Sequence, residues 1–227
     1  MREIVLDTET TGLDPAQGDR IVEIGAVELH NHVPTGRTYH QYINPQRAMS
    51  PEAFEVHGLG DEFLADKPIF SDIVEEFVDF LGDAKLVIHN ASFDMKFINA
   101  ELSWVQRPNL PADVAIDTLD IARKRFPGSP ASLDALCRRF SIDNSARTLH
   151  GALLDSEILA EVYLELIGGR QPDLVLTESG QQTAAARNEQ TDWQIPPRPT
   201  PLKSKLTDKE RKAHAEFVKD LGPNALW

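Results

Sequence analysis

Apolar residues along this chain alternate between strand-like runs and helical spacing. Glu3–Glu9 and Arg20–Leu29 are dense in Ile, Val and Leu, and a turn-rich segment with Gly12, Pro15 and Gly18 joins them. Thr38–Ile43 reads as a third strand, ending at Asn44-Pro45. Ser50-Pro51-Glu52 is a helix start: the serine can cap free N–H groups, and proline at the first helical position forfeits no bond. Ile73, Val74, Phe77, Val78 and Leu81 fall at helical spacing over residues 70–81, and Gly82 stops the run. Lys85–His89 is a short buried strand and Ala91–Trp104 a helix. Val114–Asp117 reads as a further strand, before a helix ending near Pro127-Gly128. Ser132 starts a helix to Phe140, and Gly151–Ile167 is a long final helix closing at Gly168-Gly169. The alternation predicts an α/β domain.

After Gly169 the pattern changes. Residues 171–201 are polar, and Ile195-Pro196-Pro197-Arg198-Pro199-Thr200-Pro201 favours an extended polyproline conformation, so a flexible tether is expected. Thr207–Leu221 reads as a charged helix with Thr207 and Glu210 as a capping box. Leu206, Phe217, Val218, Leu221, Leu226 and Trp227 supply its apolar contacts. One such helix cannot build a core alone; an attachment peptide for another protein explains it better than a second domain. The expected organisation is a domain over residues 1–169, a Gln/Pro-rich linker over 170–206 and a binding helix over 207–227.

Composition narrows the class. Met1-Arg2-Glu3-Ile4 runs directly into a strand-like segment, with no apolar leader, and no run approaches the roughly 20 apolar residues that cross a bilayer. A cytoplasmic protein without membrane contact is expected. The single cysteine, Cys137, excludes an internal disulfide and a multi-cysteine zinc site. Its neighbours Leu133, Leu136 and Phe140 make it a buried structural thiol. Acids and bases balance at eight each from Gln171 onward, so the whole formal charge of −13 belongs to residues 1–170. That domain lacks the basic surface by which proteins hold phosphate backbones. A nucleic-acid substrate would need metal ions to bridge the charges, and a partner to hold most of the duplex.

Three short acidic motifs carry the chemistry. Asp7 and Glu9, two apart on a strand, point to one face. A solvated acid pair is the bland alternative, and Ile4-Val5-Leu6 argues against it by marking a buried strand. Asp94 follows the apolar strand and Asn90 in the first turn of a helix, where the helix dipole alone would favour a carboxylate. His150 and Asp155, five residues apart, would point about 140° apart within one regular helix. Gly151 removes the difficulty by letting His150 lie in a loop ahead of the helix that carries Asp155. A surface histidine at a helix start is the plain reading of His150 alone. Gathered carboxylates form a natural site for divalent ions, and a histidine beside one can take a proton from water.

Asp7-x-Glu9, Asn90-x-x-Phe93-Asp94 and His150-x-x-x-x-Asp155, in this order, resemble the three motifs of the DEDDh family of 3′-5′ exonucleases. Arg20-Ile21-Val22-Glu23-Ile24-Gly25 and Asn44-Pro45 are also similar. Pro51-Glu52-Ala53-Phe54-Glu55-Val56-His57-Gly58-Leu59 resembles the family's proofreading branch, the epsilon subunits of bacterial DNA polymerase III. The resemblance covers about residues 1–169. It implies a ribonuclease H-like α/β fold, with a mixed central sheet flanked by helices, and a C-terminal tail holding one helix. It further implies that Asp7, Glu9 and Asp155 ligate two divalent ions, Mg²⁺ with Mn²⁺ able to substitute, and that Asp94 reaches a metal through water. His150 matches the general base. Glu52 and His57 match positions that contact the terminal nucleotide, and Thr10 and Leu13 are expected to line its pocket.

The resemblance also implies partners: a DNA primer 3′ terminus, and the polymerase III catalytic (alpha) subunit through the C-terminal helix. A small theta-type subunit stays open. In epsilon subunits the tail can carry a sliding-clamp peptide. Here Gln182-Thr183-Ala184-Ala185-Ala186-Arg187 keeps the glutamine but has alanines and an arginine where bulky anchors would sit, so clamp contact is expected to be weak or absent. Two other readings remain at this point, a DEDDh ribonuclease trimming RNA 3′ ends and a non-catalytic adaptor. The tether and terminal helix favour the proofreader, and the complete acid-and-histidine set opposes the adaptor.

Overall fold

β1 (Arg2–Thr10) is the middle strand of a five-stranded mixed sheet, and both of its faces are covered. In the computed structural model, which describes residues 1–145, 147, 149–169 and 207–220, the chain falls into two units, Met1–Val175 and Leu176–Trp227. The sheet of the first unit adds β2 (Ile21–His30), β3 (Val33–Tyr42), β4 (Lys85–Ile88) and β5 (Ala115–Asp117) in the order β3-β2-β1-β4-β5. β1 runs antiparallel to β2 and parallel to β4, and β5 is parallel to β4. The C-terminal ends of β1, β4 and β5 therefore share one edge, the usual place for a ligand crevice in such sheets.

Side chains of β1 alternate between two cores. Ile4 and Leu6 pack with Phe70 and Phe77 of α3 (Phe70–Leu81) and Phe97 of α4 (Ala91–Trp104). Val5 packs on the opposite face with Leu136 of α6 (Leu133–Phe140) and Ile158, Leu159 and Val162 of α7 (Ala152–Leu166). Burial on both sides is why Ile4-Val5-Leu6 is a continuous apolar run. The same alternation directs Asp7 and Glu9 toward α7, and Thr8 toward α4.

Two contacts set the helices on the sheet. A Cβ at Gly25 of β2 would lie 2.1 Å from the backbone of Ala152 and Leu153, so only glycine lets α7 approach this closely. Ser156 Oγ donates to the Gly25 carbonyl at 2.9 Å and completes the contact. On the other face, Arg20 donates twice to buried Glu101 of α4 at 2.8 and 2.7 Å, and the Ile21 N–H adds a third bond at 3.1 Å. Cys137 is buried in the second core, as its apolar neighbours imply.

Most elements fall where the periodicity places them, including the helix at Ala91–Trp104. Three do not. β3 begins at Val33 rather than Thr38, and its first half escapes the pattern because it is an exposed edge without an apolar signature. α2 (Asp61–Leu64) is a four-residue turn, too short for any period. In α3 the inward positions include Phe80, whereas Val78 is 37% exposed. The two remaining helices of the first unit are α1 (Pro51–His57), capped by Ser50, and α5 (Thr118–Arg125), capped by Asp117.

In the second unit α8 (Asp208–Asp220) is exposed, with Phe217 61% exposed. Its capping box forms: the Thr207 N–H donates to Glu210 Oε2 at 2.8 Å, and the Glu210 N–H donates to Thr207 Oγ1 at 3.3 Å. The expected linker over 170–206 with its glutamine segment, and Leu206, Leu221, Leu226 and Trp227, lie outside the described residues. Among the described residues no helix is long and apolar enough to cross a membrane.

Gly25→Ala should destabilise the protein by about 3 kcal/mol, the upper end for overpacking, because the obstructing atoms are backbone. Urea unfolding measures this; a change below about 0.5 kcal/mol, the range of ordinary surface substitutions, would contradict the contact.

Candidate active site

The sequence motifs converge at the C-terminal ends of β1 and β4. Glu9, His150 and Asp155 each offer a ligand atom, and all three atoms lie within 4.8 Å of one another. Glu9 is 7% exposed, and its Oε1 has no hydrogen-bond partner among the described residues. Asp7 stands one pleat earlier on the same face. His150 precedes α7 rather than lying within it, as Gly151 was expected to allow, and its Nδ1 is 3.3 Å from Asp155 Oδ2. The His150 N–H donates to the Val56 carbonyl of α1 at 3.1 Å, which fastens this loop to α1.

Asp94 approaches from the other face. Its Oδ1 accepts from the Thr8 N–H at 3.1 Å and from Thr8 Oγ1 at 2.7 Å, between the two strand acids. Its helix begins at Asn90, which takes the left-handed conformation (φ 67°, ψ 53°) that asparagine tolerates better than most residues. Asp117 secures that turn by accepting from the Asn90 and Ala91 N–H groups at 3.1 Å each. Asn90 therefore serves the turn, and Phe93 packs against Phe97.

A cavity of about 500 Å³ opens beside the acids, lined by Asp7, Glu9, Asp94 and His150 and by Thr10, Leu13, Glu52, Val56 and His57. Leu13 stands at its lip, 78% exposed, and Glu52 is also exposed. His57 is buried and committed to its own chain: its Nδ1 accepts from the Leu59 N–H at 3.0 Å, which leaves Nε2 as the N–H facing the Thr10 carbonyl at 3.3 Å. A second cavity of about 660 Å³ shares Asp7 and His150 and adds Arg123, Ser132, Asp134, Arg147 and Asp155.

Sequence reasoning missed the cation at this site. Arg147 donates to both oxygens of Asp155, at 2.5 and 2.7 Å, and to Asp134 at 2.9 Å. A lone arginine in a polar loop gives no periodic signal. Glu23, opposite Glu9 in the β1–β2 register and 2.7 Å from His40 Nε2, was legible only as part of a strand.

The family described as Exonuclease matches residues 4–163. The chain belongs to that exonuclease family. It is 52% identical to the DNA polymerase III subunit epsilon of Rickettsia conorii over 221 residues, covering 96% of this chain and 95% of that protein. It is 46% identical to the protein of the same name from Escherichia coli K12, covering 100% of this chain and 97% of the relative. Among solved structures, Exonuclease X in complex with 5′ overhanging duplex DNA is 28% identical, with a TM-score of 0.57 over 73% of this chain and 91% of the other. The nuclease domain of 3′hExo, a DEDDh family member bound to rAMP, shares the fold at 20% identity and a TM-score of 0.62, over 73% of this chain and 91% of the other.

The electrostatics of this exonuclease suit the divalent ions that its family implies. Burial first, then Asp94, Glu9 and Asp155, pushes Asp7 well above the usual carboxylate range. Burial, then Asp155, Glu23 and Asp94, pushes Glu9 up to about 8. Asp94 rises to about 7 through burial, against the opposing pull of its Thr8 bonds. Burial would raise Asp155 too, but His150 and Arg147 outweigh it and hold that carboxyl low. Hard oxygen donors, one of them buried and unpartnered, fit a hard divalent cation.

These shifts make the metal-free protein sensitive to base. The folded state keeps protons that the unfolded chain releases at its ordinary values of 3.8 and 4.5. Stability should therefore fall as pH rises from about 5 to about 8. Urea unfolding in a chelator across that window is the measurement, and Glu9→Gln should flatten the slope. A rise in stability over the same window would contradict the crowded-acid geometry.

Proposed function

We propose that this exonuclease is the proofreading subunit of a DNA polymerase III, removing mispaired nucleotides from a primer 3′ end as 5′-monophosphates. The observation that carries the catalytic reading is the convergence of Glu9, His150 and Asp155 within 4.8 Å beside an open cavity. Identity of about half to curated epsilon subunits along nearly their whole length supports the biological role.

In this reading Asp7, Glu9 and Asp155 hold two divalent ions, Mg²⁺ or in its place Mn²⁺, and Asp94 reaches one through water. When bound, the ions supply charge neutralisation at the phosphate and activation of the attacking water. His150, with 47% of its side chain exposed, accepts the water proton. Thr10, Leu13, Glu52 and His57 seat the terminal nucleotide: Leu13 offers an apolar face, and His57 holds the wall in place through its backbone bonds.

Residues 1–169 form the nuclease domain, 170–206 the linker and 207–227 the segment that binds the polymerase alpha subunit. Exposed Phe217 on α8 supports that last assignment. The polymerase supplies the basic grip on DNA that the acidic nuclease domain lacks. The protein works in the cytoplasm.

The test is a 5′-labelled primer–template with a 3′ mispair in Mg²⁺, run beside a single-stranded RNA. Stepwise loss of the DNA terminus should outpace RNA decay and vanish in Asp7→Ala. His150→Ala should slow it by about 10²–10⁴-fold, the range for a lost general base. Faster RNA trimming would move the reading to RNA turnover, and equal activity in Asp7→Ala would remove the metal site. Millimolar Mg²⁺ should also raise the melting temperature, since ligands bound only by the folded state stabilise it. An unchanged melting temperature in protein shown to bind the ion would count against the acid cluster.

A further inference from the structure

Arg147 has no proton to move in the reaction above, yet it is the most heavily bonded side chain at the site. Its Nε donates to Asp155 Oδ1 at 2.5 Å and one terminal nitrogen donates to Oδ2 at 2.7 Å, two parallel bonds of a guanidinium–carboxylate fork. The other terminal nitrogen donates to Asp134 Oδ1 at 2.9 Å, in the first turn of α6. The nitrogen that reaches Oδ2 also lies 2.9 Å from His150 Nδ1. The side chain is 9% exposed, so one nearly buried cation ties α6 and α7 to the His150 loop.

The three converging ligands differ in one respect. Glu9 keeps a buried oxygen with no partner among the described residues, whereas both oxygens of Asp155 are taken by Arg147. An oxygen held in a short charge-assisted bond gives up that bond, or shares it, before it can ligate a divalent ion. Arg147 also supplies positive charge beside the cluster, pulling against the raised carboxyls of both Asp7 and Glu9.

We propose that Arg147 is a resident counter-cation that competes with the divalent metal for Asp155, so that metal loading requires the guanidinium to release at least one Asp155 oxygen. Asp134 is the anchor that keeps the displaced guanidinium at the rim. Its carboxylate is 46% exposed and lies outside the converging set, so it stays available while Asp155 changes partner. The arginine stabilises the acid cluster in the metal-free protein and weakens its affinity for metal by the same interaction, because coupling between two ligands of one site is reciprocal. The inference rests on Asp155 being a metal ligand.

The experiment is calorimetric titration of the full chain with Mn²⁺ at fixed pH, alongside metal-free melting, for the wild type, Arg147→Gln and Arg147→Lys. Arg147→Gln should bind Mn²⁺ about tenfold more tightly, within the usual range of coupling between sites, and should melt lower without metal. Arg147→Lys keeps the charge but covers only one oxygen, so its affinity should fall between the two. If Arg147→Gln does not fold, tighter binding by Arg147→Lys than by the wild type supports the competition. Affinity that is unchanged or weaker in the folded variants would overturn it and leave Arg147 as a residue that positions Asp155. A wild type that binds no Mn²⁺ would remove the metal-ligand reading itself and this inference with it, a result distinct from an affinity that fails to rise.

Discussion

The burial of several carboxylates at one point is the constraint around which this domain is built. Asp7, Glu9, Asp94 and Asp155 come from three separate elements, and burial first, reinforced by neighbouring acids, holds Asp7, Glu9 and Asp94 above their ordinary protonation range. Like charges in a low-dielectric setting drift apart or take up protons unless the frame resists. The frame resists at several points: Thr8 grips Asp94 with two hydrogen bonds, Asp117 fixes the turn before its helix, and Arg147 holds Asp155. Each of these is a polar contact beside the two hydrophobic cores. The cores supply the rigidity, and these contacts direct it at the acids.

That division explains what the sequence could and could not show. Residues whose placement is set by burial were legible, because burial leaves a period. Ile4-Val5-Leu6 announces a strand covered on both faces, and the spacing of residues 70–81 announces an amphipathic helix. Asp7, Glu9, Asp94, His150 and Asp155 were legible for another reason: their types and order match a family pattern, and the fold brings them to one edge of the sheet. Edge strand β3 was half hidden because exposed residues such as Thr35 and Arg37 carry no alternation. Arg147 was hidden altogether, since its importance lies in partners eight and thirteen residues away that no local rule connects to it.

His57 shows the limit of carrying a role across by position. It lines the cavity beside the acids, yet both of its ring nitrogens face its own backbone. Burial lowers its affinity for a proton, so it is a neutral, fixed part of the wall. Glu52, exposed in the first turn of the same helix, is the freer of the two to meet a ligand. The pocket thus combines a rigid wall with an adaptable lip.

The seat of α7 on Gly25 has a consequence for how the protein is made. The strand acids are among the first residues to leave the ribosome, while Asp155 and the helix that carries it follow only after nearly the whole domain has been synthesised. Until α7 reaches the sheet, a nascent chain holds Asp7 and Glu9 without the carboxylate from the far end of the domain. The acid cluster thus depends on native long-range packing, which is slow to form in chains whose contacts are distant in sequence. A chain truncated before α7 would carry the acids of β1 without Asp155.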